Sequence, residues 1–263
     1  MQHRFILTVA GALLASTAHA GPFAPAAGQP GSTAIGMGSP SFVAWATEYL
    51  DYLPGTNVSD SFKTPEKALG AATANPADIV VLGDSGSITL KFGGAIVNGA
   101  GADFAVFENS FSDTFLELAW VEVSSNGTDF FRFPNYSFTA NPVGGFGAID
   151  PTNIDGLAGK YRAGYGTPFD LEALSGIAGL DVNNVQYVRI VDIVGNGTAF
   201  DSYPAAYGGP HAIYDPYPTS GSGGFDLNAV GVINFAPVPE PSTWLLLGIG
   251  IGALGFAARR RHG

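Results

Sequence analysis

The sequence predicts an all-β protein: a jelly-roll-like β-sandwich with long loops and one or two short helices. Three observations predict it. Gly (37) and Pro (18) make up about a fifth of the 263 residues, which disfavours long helices. Short runs alternate apolar and polar residues with a period of two. Gly, Pro, Asn and Asp separate those runs. With 46% hydrophobic and 12% aromatic residues, the chain can bury a core.

The strands follow in order. Ser87 to Phe92 sets Ile88, Leu90 and Phe92 on one face, Thr89 and Lys91 on the other. Asp103 to Asn109 carries Phe104, Val106 and Phe107. Leu118 to Ser124 opposes Ala119, Val121 and Val123 to Trp120 and Glu122. Asn126-Gly127 predicts a tight hairpin turn, and Phe130 to Phe133 returns from it. Tyr187 to Val191 alternates again, and Leu227 to Ile233 closes the domain. Helix signals are brief: Pro65 opens a turn that stops at Gly70, and Asp170 caps another that ends at Gly176. Long loops cover 134–167 and 195–225, the kind of segment that binds ligands or moves.

Composition excludes several functions. There is no Cys, so disulfides, thiolate metal sites and thiol nucleophiles are ruled out. A net charge of −11 argues against binding a phosphate backbone.

Both ends carry processing signals. In 1–20, His3 and Arg4 precede an apolar run, Phe5 to Ala15, and Ala18-His19-Ala20 has the small-x-small form accepted by signal peptidase. At the other end, Val238-Pro239-Glu240-Pro241-Ser242 leads into an uncharged run, Trp244 to Ala258, closed by Arg259-Arg260-Arg261. Fifteen helical residues span roughly 22 Å, and flanking residues extend the predicted transmembrane span to 243–258. The arginines predict a cytoplasmic C-terminus, with the rest of the chain outside. The expected division is signal peptide 1–20, flexible lead-in 21–40, sandwich 41–235 and tail 236–263.

Pro239-Glu240-Pro241, a glycine-rich apolar run and the terminal arginines resemble the PEP-CTERM sorting signal. That resemblance implies an exported bacterial protein, recognised by the membrane enzyme exosortase and delivered to the cell surface or extracellular matrix, with the inner membrane as transient or lasting anchor. Two proline rings hold the recognition stretch extended. Val121 to Phe130, with Ser124-Ser125-Asn126-Gly127, and Tyr187-Val188-Arg189-Ile190 are similar to paired strands of galactose-binding-like, discoidin-like jelly rolls.

Between the two ends, seven basic residues face twenty-one acidic ones, a net charge of −14, and His211 is the one histidine left. Asp192, Asp215 and Asp226 lie in or beside one long loop, and Asp103 and Glu108 flank an earlier strand. Together they offer hard oxygen ligands for a structural calcium, with Gly221, Gly223 and Gly224 allowing carbonyls to approach. Jelly rolls of the resembled group often hold such an ion. The bland reading of the same residues is turn and capping carboxylates. Tyr161, Tyr165, Tyr214 and Tyr217 are candidate glycan or protein contacts, or cover for their own core. The expectation is a non-catalytic surface domain for adhesion or polysaccharide association. The alternative is a glycan-active hydrolase using a pair from Glu108, Glu117 and Glu122.

Overall fold

The computed structural model describes residues 21–237. The expected signal peptide with Ala18 and Ala20, the Pro239-Glu240-Pro241 stretch, the span 243–258 and Arg259 to Arg261 lie outside the described residues. Among the described residues no helix is long and apolar enough to cross a membrane.

Sixteen strands run in the order β1 (Ile35–Gly36), β2 (Ala44–Trp45), β3 (Glu48–Leu53), β4 (Val80–Val81), β5 (Ser87–Ile96), β6 (Phe104–Glu108), β7 (Ala119–Ser124), β8 (Phe131–Arg132), β9 (Tyr136–Ser137), β10 (Ile154–Asp155), β11 (Tyr165–Phe169), β12 (Val185–Asp192), β13 (Asn196–Phe200), β14 (Ala212–Tyr214), β15 (Asp226–Val232) and β16 (Phe235–Pro237). They form two six-stranded sheets and two small ribbons, β9–β10 and β13–β14. In the first sheet β6 lies between β11 and β15; β1 flanks β11, and both β2 and β4 share the outer edge of β15. In the second, β12 lies between β5 and β7; β8 flanks β7, and β3 and β16 share the outer edge of β5. All pairings within the sheets are antiparallel.

The period-two pattern accounts for the main core. Ile88 and Leu90 of β5, Val121 and Val123 of β7, and Val188 and Ile190 of β12 meet Phe104 and Val106 of β6 and Val230 and Val232 of β15 in one buried cluster. This two-layer packing of inner faces is a β-sandwich. The outward residues of β7 are Trp120 and Glu122. Glu122 is held by Arg132 at 2.7 Å and Arg189 at 2.5 Å, with Arg132 over Trp120 and Arg189 over Phe130.

Two expectations need correction. The turn after β7 is not a two-residue hairpin: Val123 pairs with Phe131, leaving 124–130 as a loop. Asn126 Oδ1 accepts from the Thr128 and Asp129 N–H groups, Ser124 Oγ accepts from Gly127 N–H, and Gly127 takes φ +77°. These local side-chain bonds compete with the ladder and stretch the turn. Residues 21–40 are not a free lead-in either. Ile35 and Gly36 pair with β11, Phe23 stacks on Tyr136 and Phe138, and Phe23 N–H bonds Thr152 O. The physical reason lies in β6 and β15, which are buried on both faces. Their outer residues Ala105, Phe107 and Ala229 require a cover, and Ile35, Met37, Phe42 and Trp45 supply it.

The long loops also fold on themselves. Leu116, Leu118, Ile149, Ile154, Leu157, Ile193 and Ile213 make a second buried cluster beside the sandwich. It holds the 134–167 and 195–225 segments against the ends of β7 and β12.

Candidate functional site

Antiparallel pairing gathers acidic residues at one end of the sandwich. Glu108 ends β6, and its neighbour across the ladder is Leu227, next to Asp226 at the start of β15. Asp192 ends β12 opposite Ala119, so the chain just before β7, with Glu117, arrives at the same end. Asp215 joins them through its Oδ2, which accepts from Leu118 N–H at 2.9 Å. All five side chains are buried.

Their partners differ. Asp192 is a loop fastener: its oxygens accept from Ser85 N–H at 2.9 Å and Phe225 N–H at 2.8 Å. Glu108 Oε2 accepts from Ser110 N–H at 2.7 Å. Asp226 Oδ1 is buried with no hydrogen-bond partner. Among the described residues, no Lys, Arg or His forms a salt bridge with any of the five. Burial of anions without countercharge raises their pKa values. Burial is the leading cause throughout. It carries Asp226 to about 8, with Asp192 adding repulsion, and Asp192 to about 7 against the pull of its two N–H donors. It drives Glu108 well above the carboxylate range, helped by Asp226. Glu117 is strongly raised by burial and then by Asp226, Glu108, Asp215 and Asp192. Asp215 is also raised by burial, with Leu118 N–H opposing.

Glu108, Glu117 and Asp226 line a cavity of about 300 Å³ together with Ser110, Phe111, Phe115, Phe146 and the 218–222 loop. Three phenylalanines form its rim. Phe111 and Phe115 stack at 4.5 Å between centroids, and Phe115 and Phe146 at 6.3 Å. Phe111 is 74% exposed and Phe146 91%. Ser110 Oγ fastens the rim loop by donating to the carbonyls of Ser112 and Phe115. Among the described residues no three His, Asp or Glu side chains stand at the mutual spacing of a ready-made metal cage.

Of the five residues expected as calcium ligands, the fold brings Glu108, Asp192, Asp215 and Asp226 together and leaves Asp103 apart. Asp103 precedes β6 while Glu108 ends it, about 17 Å away at strand rise. Its carboxylate is spent on Gly99 N–H, Leu171 N–H and the Asn234 amide, which ties three loops at the opposite end. Glu117 and the phenylalanine rim complete the cavity. Phe111 and Phe115 stand four residues apart just after β6, while Phe146 reaches the rim from a distant loop that no local pattern connects to them. The tyrosines do not converge. Tyr161 is buried, with its hydroxyl 2.7 Å from Thr33 Oγ1. Tyr165 lies under Arg162 at the β1 edge. Tyr214 lines a separate hollow with Phe138 and His211, and Tyr217 N–H bonds Val143 O. Glu122, fastened by two arginines, is not free to act with Glu108. His211 is oriented by the buried Asp201 through Nδ1 at 3.0 Å.

The described chain is thus an antiparallel β-sandwich of a kind that fits a jelly roll, with an acidic, aromatic-rimmed cavity at one end. A PEP-CTERM protein-sorting motif matches residues 237–261. No curated protein matches the chain. The motif marks an exported protein sorted at the membrane and processed by exosortase.

Proposed function

We propose that the exported domain associates with extracellular polysaccharide through the cavity rimmed by Phe111, Phe115 and Phe146. One observation carries this reading: a run of exposed, stacked phenyl rings opening onto buried carboxylates. Exposed rings of this size mark contact surfaces. Their faces suit the flat C–H faces of sugar rings, and carboxylates accept from sugar hydroxyls. The acidity of the cavity favours neutral or amino sugars over uronic acids. Migration of the protein through native gels containing neutral, amino-sugar and acidic polysaccharides tests it. Retardation by one of the first two, lost in the Phe111→Ala, Phe146→Ala double variant, is the expected result.

A second reading, a glycan hydrolase on the same frame, is favoured by the shared position of Glu108, Glu117 and Asp226 in one cavity. Release of reducing ends that disappears in Glu117→Gln would support hydrolysis; retardation without release supports binding alone. We infer further that the tail is removed near Pro239-Glu240-Pro241 and that the protein finishes at the cell surface or in the matrix. The intact mass of the protein recovered from each fraction reads both cleavages.

A further inference from the structure

We propose that the exposed apolar strap 43–53 rests on a zwitterionic lipid surface while the sorting tail is still attached. The proposal rests on the reading that the uncharged run Trp244 to Ala258 enters the bilayer, and its test separates the two. Of the nine large exposed hydrophobics among the described residues, four belong to this strap: Val43 and Leu53, each 64% exposed, with Tyr49 and Leu50. So dense an apolar patch on one segment marks a contact surface.

The place where the described chain ends supplies the occupant. The strap crosses from β15, where Val43 N–H bonds Val232 O, to β5, where Thr47 N–H bonds Lys91 O. It continues as β3, which pairs with β5. β16 lies on the same edge of β5: Pro237 faces Gly94, and Glu48 faces Lys91. Those two positions on β5 are about 10 Å apart at strand rise. Both strands run the same way along β5, so Pro237 points at the start of β3. Residues 238–243 separate Pro237 from Trp244, and an extended chain of that length reaches at most about 25 Å. With the apolar run in the bilayer, Pro237 is held within that distance of the lipid, and the strap lies beside it. Tethering at this range gives an effective concentration on the order of millimolar, so weak apolar contact suffices.

Charge and backbone set the lipid and the depth. The strap contains Glu48 and Asp51 and no basic residue. Glu48 pairs with Lys91 at 3.6 Å, and Asp51 is exposed. Two acidic side chains disfavour an anionic headgroup layer. The outer edge of β3 has no strand partner among the described residues, and unpaired backbone groups do not enter hydrocarbon. The strap therefore lies at headgroup level. The exposed side chains of Leu50 and Leu53 reach the acyl boundary, and Tyr49 sits at the polar interface.

The test uses the full chain reconstituted in phosphatidylcholine vesicles. Flotation of the chain with the vesicles after a carbonate wash reads insertion of the tail. The chain has no Cys, so Leu50→Cys, Leu53→Cys and, as a reference, Phe200→Cys each carry a single NBD label. Phe200 is also apolar and exposed, but lies on the β13–β14 ribbon. Aqueous iodide should quench the strap labels about threefold less than the reference label, and spin-labelled lipid should quench them more. Replacing about half of the lipid by phosphatidylglycerol should weaken both effects. In the unsubstituted chain, amide exchange across 48–53 should be slower on phosphatidylcholine than on the mixed vesicles, with 196–200 unchanged. That measurement decides even if a substituted chain fails to fold. The proposal is overturned if the chain floats but the strap labels behave like the reference. Protection from iodide without quenching by spin-labelled lipid means that a second copy covers the strap, and overturns it too. Equal protection on both kinds of vesicle overturns the preference for zwitterionic lipid. A chain that does not float overturns insertion of the tail itself, and the proposal with it.

Discussion

Gly195 stands directly against the Asp215 carboxylate: it takes φ +75°, and a Cβ at this position would overlap Asp215 Oδ1. Asp215 N–H also bonds Gly195 O at 3.3 Å. The two residues lock the start of the 195–225 loop onto a later point of the same loop, and so place Asp215 beside the cavity. Gly195→Ala should therefore combine left-handed backbone strain with a clash against a buried group that cannot retreat. The expected loss is about 2–4 kcal/mol in denaturant unfolding. An unchanged midpoint would mean that Asp215 is free to move.

Phe23 lies in the segment that the sequence marks as a lead-in, yet it stacks on Tyr136 at 5.9 Å and Phe138 at 5.5 Å. Phe23→Ala should destabilise by about 1–3 kcal/mol. A protease-accessible, stability-neutral segment would contradict the packing.

Glu122 is buried beneath two arginines whose side chains are 40% (Arg132) and 34% (Arg189) exposed. Glu122→Gln should cost about 1–3 kcal/mol, because both guanidinium groups lose their anion. Arg132→Met should cost less than about 1 kcal/mol, since Arg189 remains paired and the methionine stem still covers Trp120. Equal losses in the two variants would show that the pair with Arg132 dominates the clamp.

Lys160 is 2% exposed, and its ammonium has no hydrogen-bond partner; Asp155 lies at 3.8 Å. Burial lowers its pKa from 10.5 to about 8, with Asp155 opposing. Below pH 8 both folded and unfolded chains carry the proton, and the folded state bears the desolvation cost. Between pH 8 and 10.5 the unfolded chain binds more protons, so stability rises with pH there, by up to about 3 kcal/mol. Tyr52 works the other way above pH 10, since burial raises it to about 12. The buried carboxylates, raised by burial, lose stability over the same range, so the lysine is isolated by difference: from about pH 7.5 to 9.5 the unfolding free energy of wild type should rise relative to that of Lys160→Met.

Phe146 is 91% exposed, so Phe146→Ala should shift stability by less than about 0.5 kcal/mol. Its effect on polysaccharide retardation should nonetheless be about tenfold in apparent affinity, the scale of one stacked ring. Lost stability would move Phe146 from the contact surface to the fold.

Alternation by itself was enough to locate β5, β7 and β12, because each strand has one face in a common core and the period of two is a direct record of that. Charge, apolar length and the Pro-Glu-Pro stretch were enough to locate the C-terminal sorting motif, because they act locally without help from the fold. Turn geometry at 124–130 was harder to read, since Asn126 and Ser124 bond to backbone within the loop and extend it. The cover over Phe107 and Ala229 was not legible, because a Gly/Pro/Ala/Ser-rich segment looks solvated until the surface beneath it is known to be apolar.

The carboxylates divide in the same way. Sequence proximity suggested Asp192, Asp215 and Asp226 as a group, and the fold keeps them together. Asp103 and Glu108 are equally close in sequence, but a strand separates them by its full length, and only the ladder decides which end each residue reaches. Composition and local pattern determined export, sorting and an all-β frame, since these depend on residues acting one by one or in short runs. The tertiary structure decided that Glu108, Glu117 and Asp226 share a cavity beneath three phenylalanines, since strand ends from both sheets meet there only after long-range pairing.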